Sequence, residues 1–275
     1  MKIVFWNIRK NEDVQIIHQL VKKSAADLLF LAECPETLVA GIDYLEIMPP
    51  DIESIPKPKT KPKVRGFRTS NTYQVECVEY EHPRLWFYTI GKTFEKNGEL
   101  MFLLGTVHLV AKRYYKPTAQ QSRAQRLMQR VKKIEETWKD ITQNTIMIGD
   151  FNMNPFDPGM VIAEAFNSVC SQEIARKQSR MIDSEDYTFF YNPSWKIYAG
   201  VGNHVHGTYY YHTCKTDDFH WNNFDQVLLR PSILEKYDHR FEVLHETLNF
   251  DLRKSNNNNK VPDHYPIMLE IKERQ

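Results

Sequence analysis

Thr145-Ile146-Met147-Ile148-Gly149-Asp150-Phe151-Asn152-Met153-Asn154-Pro155 decides how this chain is read. Apolar and β-favouring residues lead into a glycine, and two polar residues follow, two positions apart. In an extended chain Asp150 and Asn152 share a side. A buried strand ending in Gly-Asp-Phe-Asn delivers a carboxylate and an amide to a sheet edge, where a ligand can reach them. Pro155, Pro158 and Gly159 stop the strand. The plainer alternative is a strand and a turn with no chemistry, since Gly, Asp, Asn and Pro are the usual turn residues. What favours chemistry is that other apolar strands end on polar residues in the same way.

Lys2 to Trp6 is an expected strand running into Asn7-Ile8-Arg9. Asn11 is the expected helix cap, with Glu12 and Asp13 in the first turn and Ile16, Ile17, Leu20 and Val21 on one face. Asp27 to Ala32 is a second apolar strand, and Glu33 ends it. A strand-end glutamate is commonly just a surface group, but one placed directly after buried positions is a site candidate. Strand, helix and strand within about thirty residues imply a sheet with helices packed on it.

Residues 49 to 68 interleave prolines with Lys57, Lys59, Lys61, Lys63, Arg65 and Arg68, which predicts an extended loop. It is either a solvated excursion or a basic arm for phosphates. Strands are expected at Thr72 to Tyr80, Leu85 to Gly91 and Leu100 to Leu109, with turns at His82-Pro83 and Asn97-Gly98. The last strand carries His108, which is either a core histidine on a backbone carbonyl or a site residue. Lys112 to Lys116 follow it, cationic and aromatic. Thr118 to Trp138 is the longest helical pattern, and its basic residues read as a solvated face. Val161 to Phe166 is expected to be helical. Beyond it the pattern weakens and aromatics crowd, including Tyr209 to Tyr211, whose exposed rings could stack on bases. Asp225 begins another apolar strand, and Phe241 to Leu244 is a further candidate. Ser255 to Lys260 is a polar loop. Pro262-Asp263-His264-Tyr265-Pro266 leads into the last strand, Ile267 to Ile271. Adjacent Asp263 and His264 outside a helix point to different partners.

The chain has 275 residues and a net charge of +1, enough for one large domain or two small ones, with no global field toward nucleic acid or membrane. Cys34, Cys77, Cys170 and Cys214 are far apart and form no C-x-x-C pair, which fits a reducing, cytoplasmic setting. No segment has the apolar length of a membrane span, and the first residues are too short an apolar run for a signal peptide.

Taken together and in order, Trp6-Asn7, Leu31-Ala32-Glu33, Thr106-Val107-His108, Gly149-Asp150-Phe151-Asn152, Phe224-Asp225-Gln226-Val227 and Asp263-His264-Tyr265-Pro266 resemble the endonuclease/exonuclease/phosphatase superfamily, the deoxyribonuclease I-like metal-dependent phosphoesterases. Asn7-Ile8-Arg9 is closer to the deoxyribonuclease I branch than to the abasic endonuclease branch. Leu-Ala-Glu stands where Leu-Gln-Glu is commoner, and Pro262 where many members have serine.

The resemblance implies an α+β fold: a single domain over 1–275, built as a four-layer αββα sandwich of two facing, mainly antiparallel sheets with helices outside. It implies a Mg²⁺ or Mn²⁺ site at Glu33 with Asn7 and Asp263, Asp150 as the group that orients and deprotonates water, and Asn152 as holder of phosphate and nucleophile. Asp225 would pair with His264, and His108 and His264 would offset phosphoryl charge. Arg9 and Lys112 are candidate substrate-binding cations. Glu76 and Glu79 are candidates for the acid that orients His108. The function implied is hydrolysis of phosphodiesters in a nucleic acid, DNA or RNA. A small or lipid phosphate is the alternative, and a silent binding module is a third reading that the intact set of acids and histidines disfavours.

Overall fold

The computed structural model describes residues 1–50, 61–92, 100–111, 117–140, 142–200, 205–212, 219–246, 248, 251–254 and 262–274. In chain order the first strands are β1 (Lys2–Asn7), β2 (Leu28–Ala32), β3 (Leu45–Glu46), β4 (Val64–Arg68), β5 (Tyr73–His82), β6 (Leu85–Lys92), β7 (Leu100–His108) and β8 (Thr145–Asp150). After them come β9 (Ser168–Val169), β10 (Ser179–Ile182), β11 (Glu185–Thr188), β12 (Phe190–Tyr191), β13 (Tyr209–Tyr210), β14 (Trp221–Asn222), β15 (Asp225–Leu229), β16 (Tyr237–Val243) and β17 (Ile267–Glu273). One large sheet has six strands in the order β16-β17-β1-β2-β4-β3, and the other has seven in the order β5-β6-β7-β8-β15-β12-β9. Pairing is antiparallel except for β1 with β2, β7 with β8 and β9 with β12.

Residue parity explains how the sheets stack. In β1, Ile3 and Phe5 enter a core shared with Leu28 and Phe30 of β2, Phe102 and Leu104 of β7, Ile146 and Ile148 of β8, and Val227 and Leu229 of β15. That core lies between the sheets. The alternate residues Val4, Trp6, Leu29 and Leu31 face outward, under helix α1 (Val14–Ser24), which buries Ile17, Leu20 and Val21 on them. Leu103, Val107 and Met147 face outward on the other sheet and meet Leu127, Met128 and Val131 of the long helix Pro117–Trp138. Helix, sheet, sheet and helix are the four layers expected. Among the described residues no helix is long and apolar enough to cross a membrane. Cys34, Cys77 and Cys170 are free thiols.

Some expectations fail locally. Residues 49 to 68 are not all loop: Val64–Arg68 pairs with β2 along its whole length, and the alternating Pro-Lys pattern hid this because only Val64, Gly66 and Phe67 are buried. The α1 cap is Asp13, which accepts from the Gln15 amide, while Asn11 accepts from the Asp13 amide one turn earlier. The helix expected at 161 to 166 instead spans Pro158–Val161, because Pro158 suits a first helical position and Ile162 is already extended. The Asn97-Gly98 turn and the Ser255 to Lys260 loop lie outside the described residues.

Candidate active site

The same parity carries polar residues to one end of the inter-sheet layer. His108 lies opposite Asp150, and Asp150 opposite Asp225, across three adjacent strands. Residues in register on neighbouring strands share a face, here the inner one. On the facing sheet Asn7 ends β1 on the inner parity and Glu33 follows Ala32 at the end of β2. The two sheets touch at this point: the Asn7 amide donates to Asp150 Oδ2 at 3.0 Å.

Gly149 makes the approach possible, since a Cβ there would sit 2.0 Å from the Val107 carbonyl oxygen. The chain does not stay extended beyond Asp150. Asn152 has φ 50°, in the left-handed region that asparagine tolerates, and its backbone N–H turns back to donate to Asp150 Oδ1 at 2.8 Å. Asp150 and Asn152 therefore meet through a turn rather than through a shared strand face. Arg9, Lys10 and Glu33 also have left-handed backbones. Their loops are tied together by hydrogen bonds from Ile8 N to Ala32 O and from Lys10 N to Glu33 O, both 3.1 Å. Strained backbone held by its surroundings is a feature of functional sites.

Beside Asp150, His264 Nδ1 lies 2.7 Å from Asp225 Oδ2. The ring is placed by its own backbone, whose carbonyl accepts from the Trp6 indole N–H at 2.8 Å. It is also placed by Tyr209, whose ring is centred 4.7 Å away. The Asp225 N–H donates to the Thr208 hydroxyl at 3.1 Å. His108 Nε2 lies 3.8 Å from Glu33 Oε1 and 3.7 Å from Asp150 Oδ2. Asp263 faces Arg9 at 3.4 Å and His264 Nε2 at 3.9 Å. The cleft they enclose is about 310 Å³. Its lining includes Asn7, Arg9, Glu33, His108, Asp150, Asn152, Asp263 and His264, with Tyr209 to His212 along one wall.

The electrostatics sort these groups by role. Burial raises the Asp150 carboxyl, and the Asp225 charge adds to this, so that it titrates at about 7 despite the Asn7 and Asn152 hydrogen bonds and His264. Burial alone would lower the His264 imidazole. The adjacent Asp225 carboxylate, with Asp150 and Asp263, overcomes this and lifts it to about 10. His108 goes the other way: burial, with Arg84 and His264 nearby, lowers it to about 4 against the pull of Glu33. At neutral pH one histidine is charged and the other neutral.

Among the described residues, Asn7, Arg9, Glu33, His108, Asp150, Asn152, Asp263 and His264 line this cleft, and Asp225 stands directly behind His264. Lys112, and the rest of Lys112 to Lys116, lie outside the described residues. Glu76 and Glu79 do not reach His108: Glu76 accepts from Gln74, and Glu79 faces Arg130. Asp263 and His264 do serve different partners, Arg9 and Asp225. Within the basic segment, Arg65 is committed to Glu36 and Glu46, and Lys61 to Glu36. Sequence reasoning missed Thr208, whose hydroxyl fixes the Asp225 backbone, and Arg84, which donates to the His108 carbonyl at 2.9 Å. Neither sits in a motif.

The fold is a deoxyribonuclease I-like sandwich. Three solved structures show the likeness. An endonuclease/exonuclease/phosphatase family protein from Bacteroides thetaiotaomicron superposes with TM-score 0.54 at 14% identity, over 98% of this chain and 97% of that one. A mannosyl-6-phosphatase of the same organism gives 0.52 at 14%, over 99% of both chains. TDP2 of D. rerio, complexed with a single-strand DNA product, gives 0.52 at 13%, over 99% and 98%. No protein-family model and no curated protein sequence matches the chain. At such identities the likeness fixes the fold and leaves the substrate to the site.

Proposed function

We propose that the chain is a divalent-cation-dependent phosphodiesterase, a nuclease that cleaves DNA or RNA with an activated water. The observation that carries this is the contact between the sheets: a carboxylate that titrates near neutrality, bound by Asn7 and Asn152, beside a charged histidine.

The donors suit a hard cation. Glu33, Asn7 and Asp263 offer oxygens within the cleft, and Mg²⁺ or Mn²⁺ prefers oxygen ligands. Asp150, Asp225 and His264 also lie within ligand reach of one another, but His264 Nδ1 and Asp225 Oδ2 are already hydrogen-bonded at 2.7 Å, with no space between them for an ion. We therefore assign the ion to Glu33, Asn7 and Asp263. When bound, it supplies charge neutralisation at a phosphoryl oxygen.

The chain's own groups do the rest. Asp150 takes the proton as the water oxygen bonds to phosphorus, and the bond to the leaving oxygen breaks in line. His264, kept protonated by Asp225, presents Nε2–H to a phosphoryl oxygen. Neutral His108 offers a second ring nitrogen near the same point. Asn152 commits one N–H to the Leu109 carbonyl at 3.1 Å, and its second N–H and Oδ1 serve phosphate and water.

The test is a panel of plasmid, single-stranded DNA, RNA and a phosphoinositide with Mg²⁺, with and without chelator. Cleavage of a nucleic acid that the chelator abolishes is expected. Cleavage that persists in chelator overturns the metal assignment. Turnover of the phosphoinositide alone replaces the nuclease reading with the small-phosphate one. That second reading has one observation in its favour: Lys61 and Arg65 of the basic segment are already paired with Glu36 and Glu46.

A further inference from the structure

Behind the active-site turn lies a second cavity, of about 430 Å³, lined by the apolar Leu109, Val110, Leu127, Phe151 and Met153, by Gln120, and by His82, Arg84, Arg123, Arg126 and Arg130. Its size is within the range of about 300–1,000 Å³ typical of small-molecule sites. Among its described lining residues there is no carboxylate. The nearby acids Glu79 and Glu81 face Arg130, at 3.6 and 3.3 Å.

The cavity shares its wall with the active site. Phe151 and Met153, buried in the core, back this cavity, while Asp150 and Asn152, alternating with them, line the catalytic cleft. Leu109 N donates to the Asp150 carbonyl at 2.8 Å, and Gln120 Nε2 donates to the Asn152 carbonyl at 2.9 Å. Arg84 reaches the His108 carbonyl from the same side. The three helix arginines, expected to be a solvated face, are spaced so that i, i+3 and i+7 share one stripe, and that stripe closes the cavity. The positive surroundings register on His82, whose imidazole is lowered by burial and by Arg130 and Arg84.

We propose that this cavity binds one unpaired nucleotide of the substrate strand, next to the one being cut, with its phosphate on the arginine rim and its base against Val110, Leu109 and Leu127. This rests on the nuclease reading for its biological sense. The chemistry is general: guanidinium groups bind phosphate by paired, charge-assisted hydrogen bonds, and a flat ring on an apolar floor removes its face from water.

The experiment titrates the full chain, in chelator so that nothing is cut, with a 5′-phosphorylated thymidine tetranucleotide. Thymidine and inorganic phosphate are the parallel probes. Histidine ring signals are followed by NMR, with His82 identified from an H82Q variant. The oligonucleotide is expected to shift the His82 signal and raise its pKa. Thymidine or phosphate alone should bind at least roughly ten-fold more weakly. R126E, at an exposed helix position, should weaken oligonucleotide binding by roughly ten-fold or more. K132E, on the same helix but over the Tyr187 ring, should change it less than two-fold, roughly.

Three results would overturn the proposal: a silent His82, equal losses in R126E and K132E, or phosphate alone binding as tightly as the oligonucleotide. Cleavage of nucleic acid with a silent His82 removes this site and leaves the nuclease. A His82 response that R126E abolishes, in a protein that cuts no phosphodiester, keeps the site and removes the nuclease.

Discussion

Asp150 is fully buried among charged groups, and every neighbour acts on its proton. A carboxyl that titrates at about 7 is a far better base at neutral pH than one at its ordinary value, because proton affinity and the ionised fraction are balanced there. Asp150→Asn keeps the size of the side chain and removes the proposed base. The expected outcome is a loss of about 10²–10⁴-fold in kcat, with an unfolding midpoint close to wild type. His264→Ala should lose comparably. Full turnover by either purified, folded variant would remove it from the mechanism. The Asp225–His264 pair makes a separate prediction for stability. Folded His264 holds its proton up to about 10, whereas the unfolded imidazole releases it near its ordinary value of 6.5. Between those values the folded state binds more protons, so stability falls as pH rises, and the contribution is whole below about 6.5. In chelator, the melting temperature of wild type should drop more steeply from pH 7 to 10 than that of Asp225→Asn. Parallel profiles would mean that the pair does not hold the proton.

At the scale of elements, one arginine adds a polar tie between the long helix and its sheet, beside the apolar packing of Leu127, Met128 and Val131. Arg230, at the end of β15, donates from Nε and Nη2 to the two carboxylate oxygens of Glu135, both at 2.8 Å. Its Nη1 donates to the Thr188 and Phe189 carbonyls, and its guanidinium lies 3.7 Å from the Phe190 ring centre. Lysine cannot reproduce a planar fork that is stacked and bidentate at once. Arg230→Lys should cost about 2–4 kcal/mol in urea unfolding, since breaking a largely buried pair strands its partner. Because Arg230 is remote from the cleft, kcat of the folded fraction should be unchanged, and a fall in kcat at unchanged stability would contradict this role. How much was legible in sequence divides along the same lines. The strands that carry Asn7, His108, Asp150 and Asp225 were readable because each is an apolar run with a polar end. The strand at Val64–Arg68 was hidden by the prolines and lysines that precede it and by Arg65 and Arg68, the two of its five residues that are not buried. The left-handed backbones at Arg9 and Glu33 were not readable either. Those residue types do not announce positive φ, and the two loops hold each other in it. Thr208 and Arg84 act through the backbones of Asp225 and His108, contacts that no local pattern encodes.

For the molecule as a whole, a net charge of +1 means that any polyanion must be held by a few local cations. Arg9 lies in the cleft, and Arg84, Arg123, Arg126 and Arg130 line the cavity behind it. Each phosphate neutralised on a single strand contributes a slope of about −0.7 to log K against log salt. Three to five such contacts give a slope of about −2 to −3.5. Chelator-treated protein titrated with a single-stranded oligonucleotide across ionic strength should fall in that range, and R126E should be shallower by about one contact. A slope much steeper than about −5 would require cations beyond these, which shifts attention to the Lys57 to Lys63 segment. A slope near zero with tight binding would mean that the anion is small and held in the cleft alone. In that case the arginine-lined cavity is not on the substrate's path, and the small-phosphate reading gains the site.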